Sequence, residues 1–142
     1  MNRSLVFTPA RCMEMAEGGI RKTDYNNLIH VVFKYTDKDF AVIAGTSVRT
    51  LARLKPEQNI PFRAAEVTIS LMRALKKATE IFGSKENAVE WLKTPNKLLD
   101  DLSPVQALSS RFGAEEVMNI LGRIQYGVYS SWLFLGLQEK NL

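Results

Sequence analysis

Two arginines four positions apart, Arg49 and Arg53, have the types and the spacing to recognise nucleic acid. In a helix, side chains at that spacing share one face, and each guanidinium can donate two hydrogen bonds to a guanine edge in the DNA major groove. Nearby hydroxyl groups and one lysine can contact phosphates; these residues are Thr46, Ser47, Thr50 and Lys55. The sequence therefore predicts a DNA-binding surface over residues 46–55.

Positive charge is concentrated in the part of the chain that contains this surface. The chain of 142 residues has a formal net charge of +4. Between Lys34 and Lys77, nine Lys and Arg residues face four Asp and Glu residues. A local basic excess is expected where a protein contacts phosphates. A basic helix face that meets only water fits the same count, so both interpretations stay open.

Residue types that support catalysis or metal binding are scarce. A zinc site needs several Cys or His ligands, whereas the chain has one of each, Cys12 and His30. His30 lies in an apolar helical stretch, where a packed or partly exposed side chain is the simpler interpretation. The sequence has no nucleophile-elbow motif and no glycine-rich phosphate loop. We therefore expect no catalytic residue, no metal, no cofactor and no enzymatic activity.

The cellular setting follows from the single cysteine and the absence of long apolar runs. Cys12 cannot form an internal disulfide, which favours a reduced, cytoplasmic chain. No apolar run approaches the roughly 20 residues needed to cross a bilayer, and the first ten residues do not resemble a signal peptide. We therefore expect no contact with membranes.

The elements that must position the two arginines read as helix, turn and helix over residues 37–55. Asp37 is predicted to cap the first helix, Gly45 to end it, and Ser47 to cap a second helix over residues 48–54. In the second helix, Val48, Leu51 and Ala52 are expected to pack inward. A helix-turn-helix of this kind presents its second helix to the major groove.

The rest of the chain is also predicted to be helical, with one helix from Tyr25 to Phe33 and a long helix from Pro61 to Gly83. Ser84 and Ser103 are predicted helix caps, and Gly113 is expected to separate the last helix from the one before. Residues 1–24 have no clear periodicity and are interpreted as an arm or a weakly ordered lead-in. The expected core of the later helices consists of Trp91, Leu92, Val117, Leu121 and Ile124. Without a strand pattern, the fold class is all-α.

The segment from about residue 82 to residue 130 carries a specific pattern. Its anchors, in order, include Phe82-Gly83, Trp91-Leu92, Thr94-Pro95-Asn96, Gly113, Leu121-Gly122-Arg123-Ile124 and Tyr126-Gly127. This pattern closely resembles the toxin-binding domain of the Xre/MbcA/ParS antitoxin family, and the preceding segment resembles its Xre-type helix-turn-helix. The resemblance implies a helix-turn-helix domain (25–81) and a toxin-binding and dimerisation domain (82–142), and it does not extend to the arm (1–24). Two features depart from the family: the long helix has Ala65-Glu66-Val67 in place of a Ser-Asp/Glu-Arg run, and the chain continues past Tyr126-Gly127.

The resemblance implies the antitoxin of a type II toxin–antitoxin system. Its partner would be a RES-domain toxin that consumes NAD or transfers ADP-ribose from it, and the antitoxin would cover the toxin's active site. A homodimer within a larger toxin–antitoxin complex would bind operator DNA and repress its own operon. The candidate toxin-binding residues are Arg123, Tyr126, Tyr129, Trp132 and Phe134.

Two other functions fit the same sequence, and the packing of the tail is open. The chain can be a helix-turn-helix transcription regulator without a toxin, or a toxin partner whose helix-turn-helix is only a scaffold. Trp132, Phe134 and the neighbouring leucines are too apolar to leave in water. They must pack on their own domain, on a second copy or on the toxin.

Overall fold

The computed structural model describes residues 8–127, which are helical and contain no β-strand. The expectation of an all-α fold is confirmed. One isolated antiparallel bridge joins Arg21 to Asn59. The chain divides between Arg73 and Ala74 into two compact units, called here the N unit and the C unit. The division falls inside the longest helix, whereas the sequence analysis places it at the end of that helix.

The order of elements is simple. The N unit contains α1 (Pro9–Gly18), α2 (Lys22–Asn26), a π-helical turn (Asn27–Val32), α3 (Asp37–Ala44), α4 (Val48–Arg53) and the first part of α5 (Phe62–Phe82). The C unit contains the rest of α5, α6 (Lys85–Lys93), a 3-10 turn (Lys97–Leu99), α7 (Pro104–Ala107) and α8 (Arg111–Gln125).

The structure describes residues 8–24 of the predicted arm, and most of them are helical. Thr8 caps α1 by accepting a hydrogen bond from the Arg11 amide at 3.1 Å, and Pro9 occupies the first helical position. Ile20 and Lys22 are buried. The sequence signal was weak because no residue of α1 is buried, and the segment after it is held by residues far away in sequence. Residues 1–7 lie outside the described range.

Helix α3 begins with a capping box at Thr36, not with a cap at Asp37. The Thr36 hydroxyl accepts a hydrogen bond from the Asp39 amide at 3.1 Å, and the Asp39 carboxylate accepts one from the Thr36 amide at 2.9 Å. Asp37 instead accepts a hydrogen bond from the Tyr25 hydroxyl at 2.7 Å and lies 2.8 Å from Nε2 of His30. Asp37 therefore ties α2 and the π-helical turn to the start of α3.

Short-range serine caps organise the C unit. Ser84 accepts a hydrogen bond from the Asn87 amide at 3.1 Å, and Ser103 forms a capping box with Gln106. Both are caps that the sequence predicts, and the end of α5 at Gly83, with φ +85°, is likewise confirmed. Ser110 caps α8 by accepting a hydrogen bond from the Gly113 amide at 3.0 Å. Each helix start is therefore satisfied by a residue of its own segment.

Gly113 does not separate two helices, as the sequence analysis expects, but lies in the first turn of α8. A side chain at this position would overlap the backbone carbonyl of Ala107, at the end of α7. The glycine therefore permits the close approach of α7 and α8, and its backbone conformation is ordinary helix.

The structure buries four of the five expected core residues of the C unit, namely Trp91, Leu92, Val117 and Leu121. Ile124 is only partly buried. It lies in the last turn of α8, one residue before the helix ends, so less of the unit covers it.

Replacement of Gly113 by alanine is expected to destabilise the protein by about 1–3 kcal/mol, because the new methyl group meets a backbone atom that cannot move aside. The free energy of unfolding in urea measures this effect. Gly122→Ala in the same helix is the matched control, because no atom lies within 4 Å of the added Cβ. The control should raise stability by about 0.5–1 kcal/mol, since alanine is the better helix former. Equal effects of the two variants would contradict the close approach.

A second expectation concerns Tyr25, which is completely buried. Burial first, and then the hydrogen bond to Asp37 and its negative charge, raises the pKa of Tyr25 above its ordinary value of 10.0. Tyr25 therefore stays protonated in the folded protein, whereas it ionises in the unfolded chain above pH 10. Its contribution to stability is complete below pH 10 and is lost as the pH rises further.

The comparison with Tyr25→Phe isolates this effect. Between pH 10 and pH 11, the wild type should lose up to about 1.4 kcal/mol more of its free energy of unfolding than the variant. Urea unfolding at a series of pH values measures the difference, in which other titrating groups cancel. Parallel curves for the two proteins would show that Tyr25 ionises equally in the folded and unfolded states.

Candidate functional site

The turn between α3 and α4 fixes the start of the candidate DNA-binding surface. Gly45 ends α3 in the left-handed conformation, with φ +65° and ψ +39°, and its amide donates to the carbonyl of Ala41. The Thr46 amide donates to the same carbonyl at 3.1 Å. The Ser47 hydroxyl then accepts a hydrogen bond from the Thr50 amide at 3.3 Å and begins α4, as the sequence predicts.

Helix α4 presents its polar residues to solvent. Arg49, Thr50 and Arg53 are exposed, and Lys55 is exposed two residues beyond the end of the helix. The six residues of α4 include two positive charges and no acid. The structure therefore brings the predicted base-contacting and phosphate-contacting side chains together on one short segment.

Two other residues that were predicted to contact phosphates are less accessible. Thr46 is partly buried, and the Ser47 hydroxyl oxygen is engaged as the helix cap. The expectation that Val48, Leu51 and Ala52 all pack inward is wrong for two of them, because only Leu51 is buried. Helix α4 has fewer than two turns, and only one of its positions, Leu51, faces the core. Val48 is left 41% exposed beside Arg49 and is an apolar side chain that the sequence analysis did not assign to the surface.

Residues that hold α4 from behind were also missed. The Lys22 ammonium group donates hydrogen bonds to the backbone carbonyls of Leu51 and Leu54. The Thr23 hydroxyl donates to the carbonyl of Pro56 at 2.7 Å. These contacts join positions about 30 residues apart, so no local spacing or periodicity in the sequence indicates them.

The end of α8 carries the described part of the candidate toxin-binding set. Tyr126 is 83% exposed, and its amide ends the helix by donating to the carbonyl of Gly122 at 3.0 Å. Arg123 lies one turn earlier, is exposed, and has Nη1 3.9 Å from a carboxylate oxygen of Glu116. The other three members of the set lie outside the described residues; they are Tyr129, Trp132 and Phe134.

The described part of the chain offers few alternatives for other kinds of site. Within residues 8–127, no three His, Cys, Asp or Glu side chains come together as a metal site. None of the helices in that range combines the length and the apolar character that a bilayer crossing requires.

Comparison with known proteins finds a family match within the C unit. Residues 77–127 match the family model described as the antitoxin Xre/MbcA/ParS C-terminal toxin-binding domain. That range contains α6, α7 and α8 and includes both Arg123 and Tyr126.

Two curated relatives, both named "Antitoxin Xre", extend the match. The protein from Photorhabdus laumondii is 30% identical over 94 residues, which cover 65% of this chain and 64% of that protein. The protein from Yersinia enterocolitica is 34% identical over 79 residues, which cover 55% of this chain and 49% of that protein. The matched region therefore spans less than two thirds of the length of either relative. The chain is therefore similar to Xre/MbcA/ParS antitoxins, and the family model matches it over residues 77–127.

Proposed function

We propose that this chain is the antitoxin of a type II toxin–antitoxin pair, which binds and neutralises a toxin and also binds operator DNA. The match of residues 77–127 to a toxin-binding domain carries the proposal. The names of the two relatives support it. The chain acts by occlusion and not by turnover, so its activity depends on the surfaces it presents.

The proposed partner is a RES-domain toxin whose NAD-binding active site the chain covers. Tyr126 supports this role because its ring is 83% exposed at the end of α8, directly before the apolar tail. Large aromatic side chains at the centre of an interface contribute much of its binding energy. Tyr129, Trp132 and Phe134 join the proposed surface on sequence alone.

Arg123 suits the same surface. Its ion pair with Glu116 is at the edge of the distance for such a pair and both side chains are about half exposed, so the pair contributes little to stability. Arg123 is exposed near the end of α8 and can present its positive charge to the partner.

Helix α4 is proposed to enter the DNA major groove, with Arg49 and Arg53 contacting base edges and Thr50 and Lys55 contacting the backbone. A homodimer formed through the C unit would place two copies of α4 on paired operator half-sites. Two apolar side chains exposed on the C unit are available for this association, Leu98 and Leu102. The dimer and its toxin would form the larger complex that represses the operon in the cytoplasm.

A transcription regulator without a toxin is the alternative, and the exposed arginines of α4 favour it as much as they favour the proposal. The gene next to the one for this chain distinguishes the two functions. A RES-domain reading frame there supports the antitoxin.

Co-expression tests neutralisation. A RES-domain toxin encoded beside this chain should stop growth when expressed alone and should be harmless when expressed with it. Tyr126→Ala should weaken the complex by about 2 kcal/mol, which corresponds to roughly a thirtyfold rise in Kd by calorimetry.

Phe112→Ala is the matched control, because Phe112 is 85% exposed at the opposite end of α8. It should leave toxin affinity unchanged. Equal toxicity with and without the wild-type chain would overturn the antitoxin function. A loss of affinity with Phe112→Ala and none with Tyr126→Ala would move the interface to the start of α8.

Arg49 and Arg53 provide the test of DNA binding. Their joint replacement by alanine should weaken binding to the chain's own promoter by about 1–3 kcal/mol for each lost base contact, measured by gel shift at a stated salt concentration. The control removes the same charge from the C unit, as Lys85→Ala with Arg111→Ala, both of which are exposed. Equal losses in the two double variants would indicate nonspecific attraction, and unchanged binding would remove α4 from the interface.

A further inference from the structure

Lys22 is a buried lysine whose partners are backbone carbonyls. Only 6% of its surface is exposed. A buried ammonium group is costly unless its hydrogen bonds are satisfied, and charged side chains are rarely buried without a partner of opposite charge. Here the Nζ atom donates to the carbonyl of Leu51 and, at 3.4 Å, to the carbonyl of Leu54. The hydrogen bonds to these carbonyls must offset the cost of burying the ammonium group, which indicates that they are important for the local structure.

The position of these carbonyls at the end of α4 explains why they need a donor. The last carbonyls of any α-helix have no amide partner within the helix, and α4 has only six residues. The chain leaves the helix at Leu54 in an extended conformation, with φ −67° and ψ 139°, so no left-handed glycine cap forms. Lys22 supplies the missing donor, and its positive charge suits the negative end of the helix.

The backbone around Lys22 holds the segment that follows α4. The Lys22 amide donates to the carbonyl of Gln58 at 2.8 Å, and the Thr23 amide donates to the carbonyl of Pro56 at 3.1 Å. The Ile60 amide donates to the carbonyl of Ile20 at 2.8 Å. Residues 20–23 therefore fix the end of α4 and the turn after it.

We propose that Lys22 is a positioning residue for DNA recognition: it holds α4 in the orientation that aims Arg49 and Arg53, without contacting DNA itself. The inference rests on the proposed DNA binding. Leu51 is the one buried side chain of α4, so the docking of this helix depends on few contacts. If Lys22 is lost, the docked fraction of α4 falls, and the apparent affinity for DNA falls with it.

Lys22→Met tests this role, since methionine is unbranched and apolar and cannot donate a hydrogen bond. Binding of the full chain to its promoter fragment is measured at several salt concentrations. We expect about tenfold weaker binding, as for the loss of a hydrogen bond to a charged group, with an unchanged slope of log K against log salt.

Lys55→Met is the matched control, because Lys55 is exposed beside α4. If Lys55 contacts a phosphate, its loss makes the salt slope about 0.9 less steep. The two readouts distinguish the possible roles of Lys22. Wild-type affinity in Lys22→Met means that Lys22 does not position α4 for DNA binding, whereas a less steep salt slope means that Lys22 contacts a phosphate itself. Wild-type affinity in Lys22→Met, or a slope change like that of a phosphate contact, overturns the proposal.

A second measurement does not require DNA. In Lys22→Met, the amide hydrogens of residues 51–54 should exchange about tenfold faster than in the wild type, whereas those of residues 117–121 in the C unit should not change. If the wild type binds no promoter DNA, the proposed DNA binding fails, and this exchange pattern still decides whether Lys22 holds α4. Unchanged exchange at residues 51–54 shows that it does not.

The wild-type chain provides a test if Lys22→Met does not fold. Brief acetylation of the native chain, read by mass spectrometry, should modify the exposed amine of Lys55 at least about tenfold faster than the buried amine of Lys22. Equal rates would show that the Lys22 amine is not engaged with the end of α4 and would overturn the proposal.

Discussion

The shortness of α4 is the constraint on which the N unit depends. A helix of six residues does not persist alone in water, because the cost of nucleation exceeds the gain from so few hydrogen bonds. Contacts with residues outside α4 must therefore stabilise this helix. Ser47 satisfies its start, Leu51 anchors its middle, and Lys22 satisfies its end. The exposed arginines can have a defined direction only because these three contacts act together.

This constraint explains why residues far from the exposed surface matter for the shape of that surface. Asp37 accepts hydrogen bonds from groups on α2 and the π-helical turn, and so fixes the start of α3. Residues 20–23 fix the end of α4. These long-range contacts add to short-range caps, which begin helices in both units; examples are Ser47 in the N unit and Ser84, Ser103 and Ser110 in the C unit.

The same contrast accounts for what the sequence could predict. Caps such as Ser47 and Ser84 act over three residues, so their patterns are visible in the sequence, and the exposed face with Arg49 follows from helical periodicity. The role of Lys22 was not visible, because it depends on a carbonyl 29 residues away. Gly113 was assigned the wrong role for a different reason: a glycine in the sequence does not distinguish a helix end from a close approach, which here is to the Ala107 backbone.

Under the proposed function, the small size of the exposed surface makes assembly part of DNA recognition. Specific protein–DNA interfaces bury about 1,000–2,500 Å² of protein surface, which one six-residue helix and its flanking residues cannot supply. Two copies joined through the C unit would double the contacts, and binding of the second copy would become intramolecular. Any partner that binds the C unit and changes this pairing would then change DNA affinity, and by thermodynamic reciprocity DNA would change the affinity for that partner. Toxin binding and operator binding would be coupled through the assembly even if their surfaces share no residue.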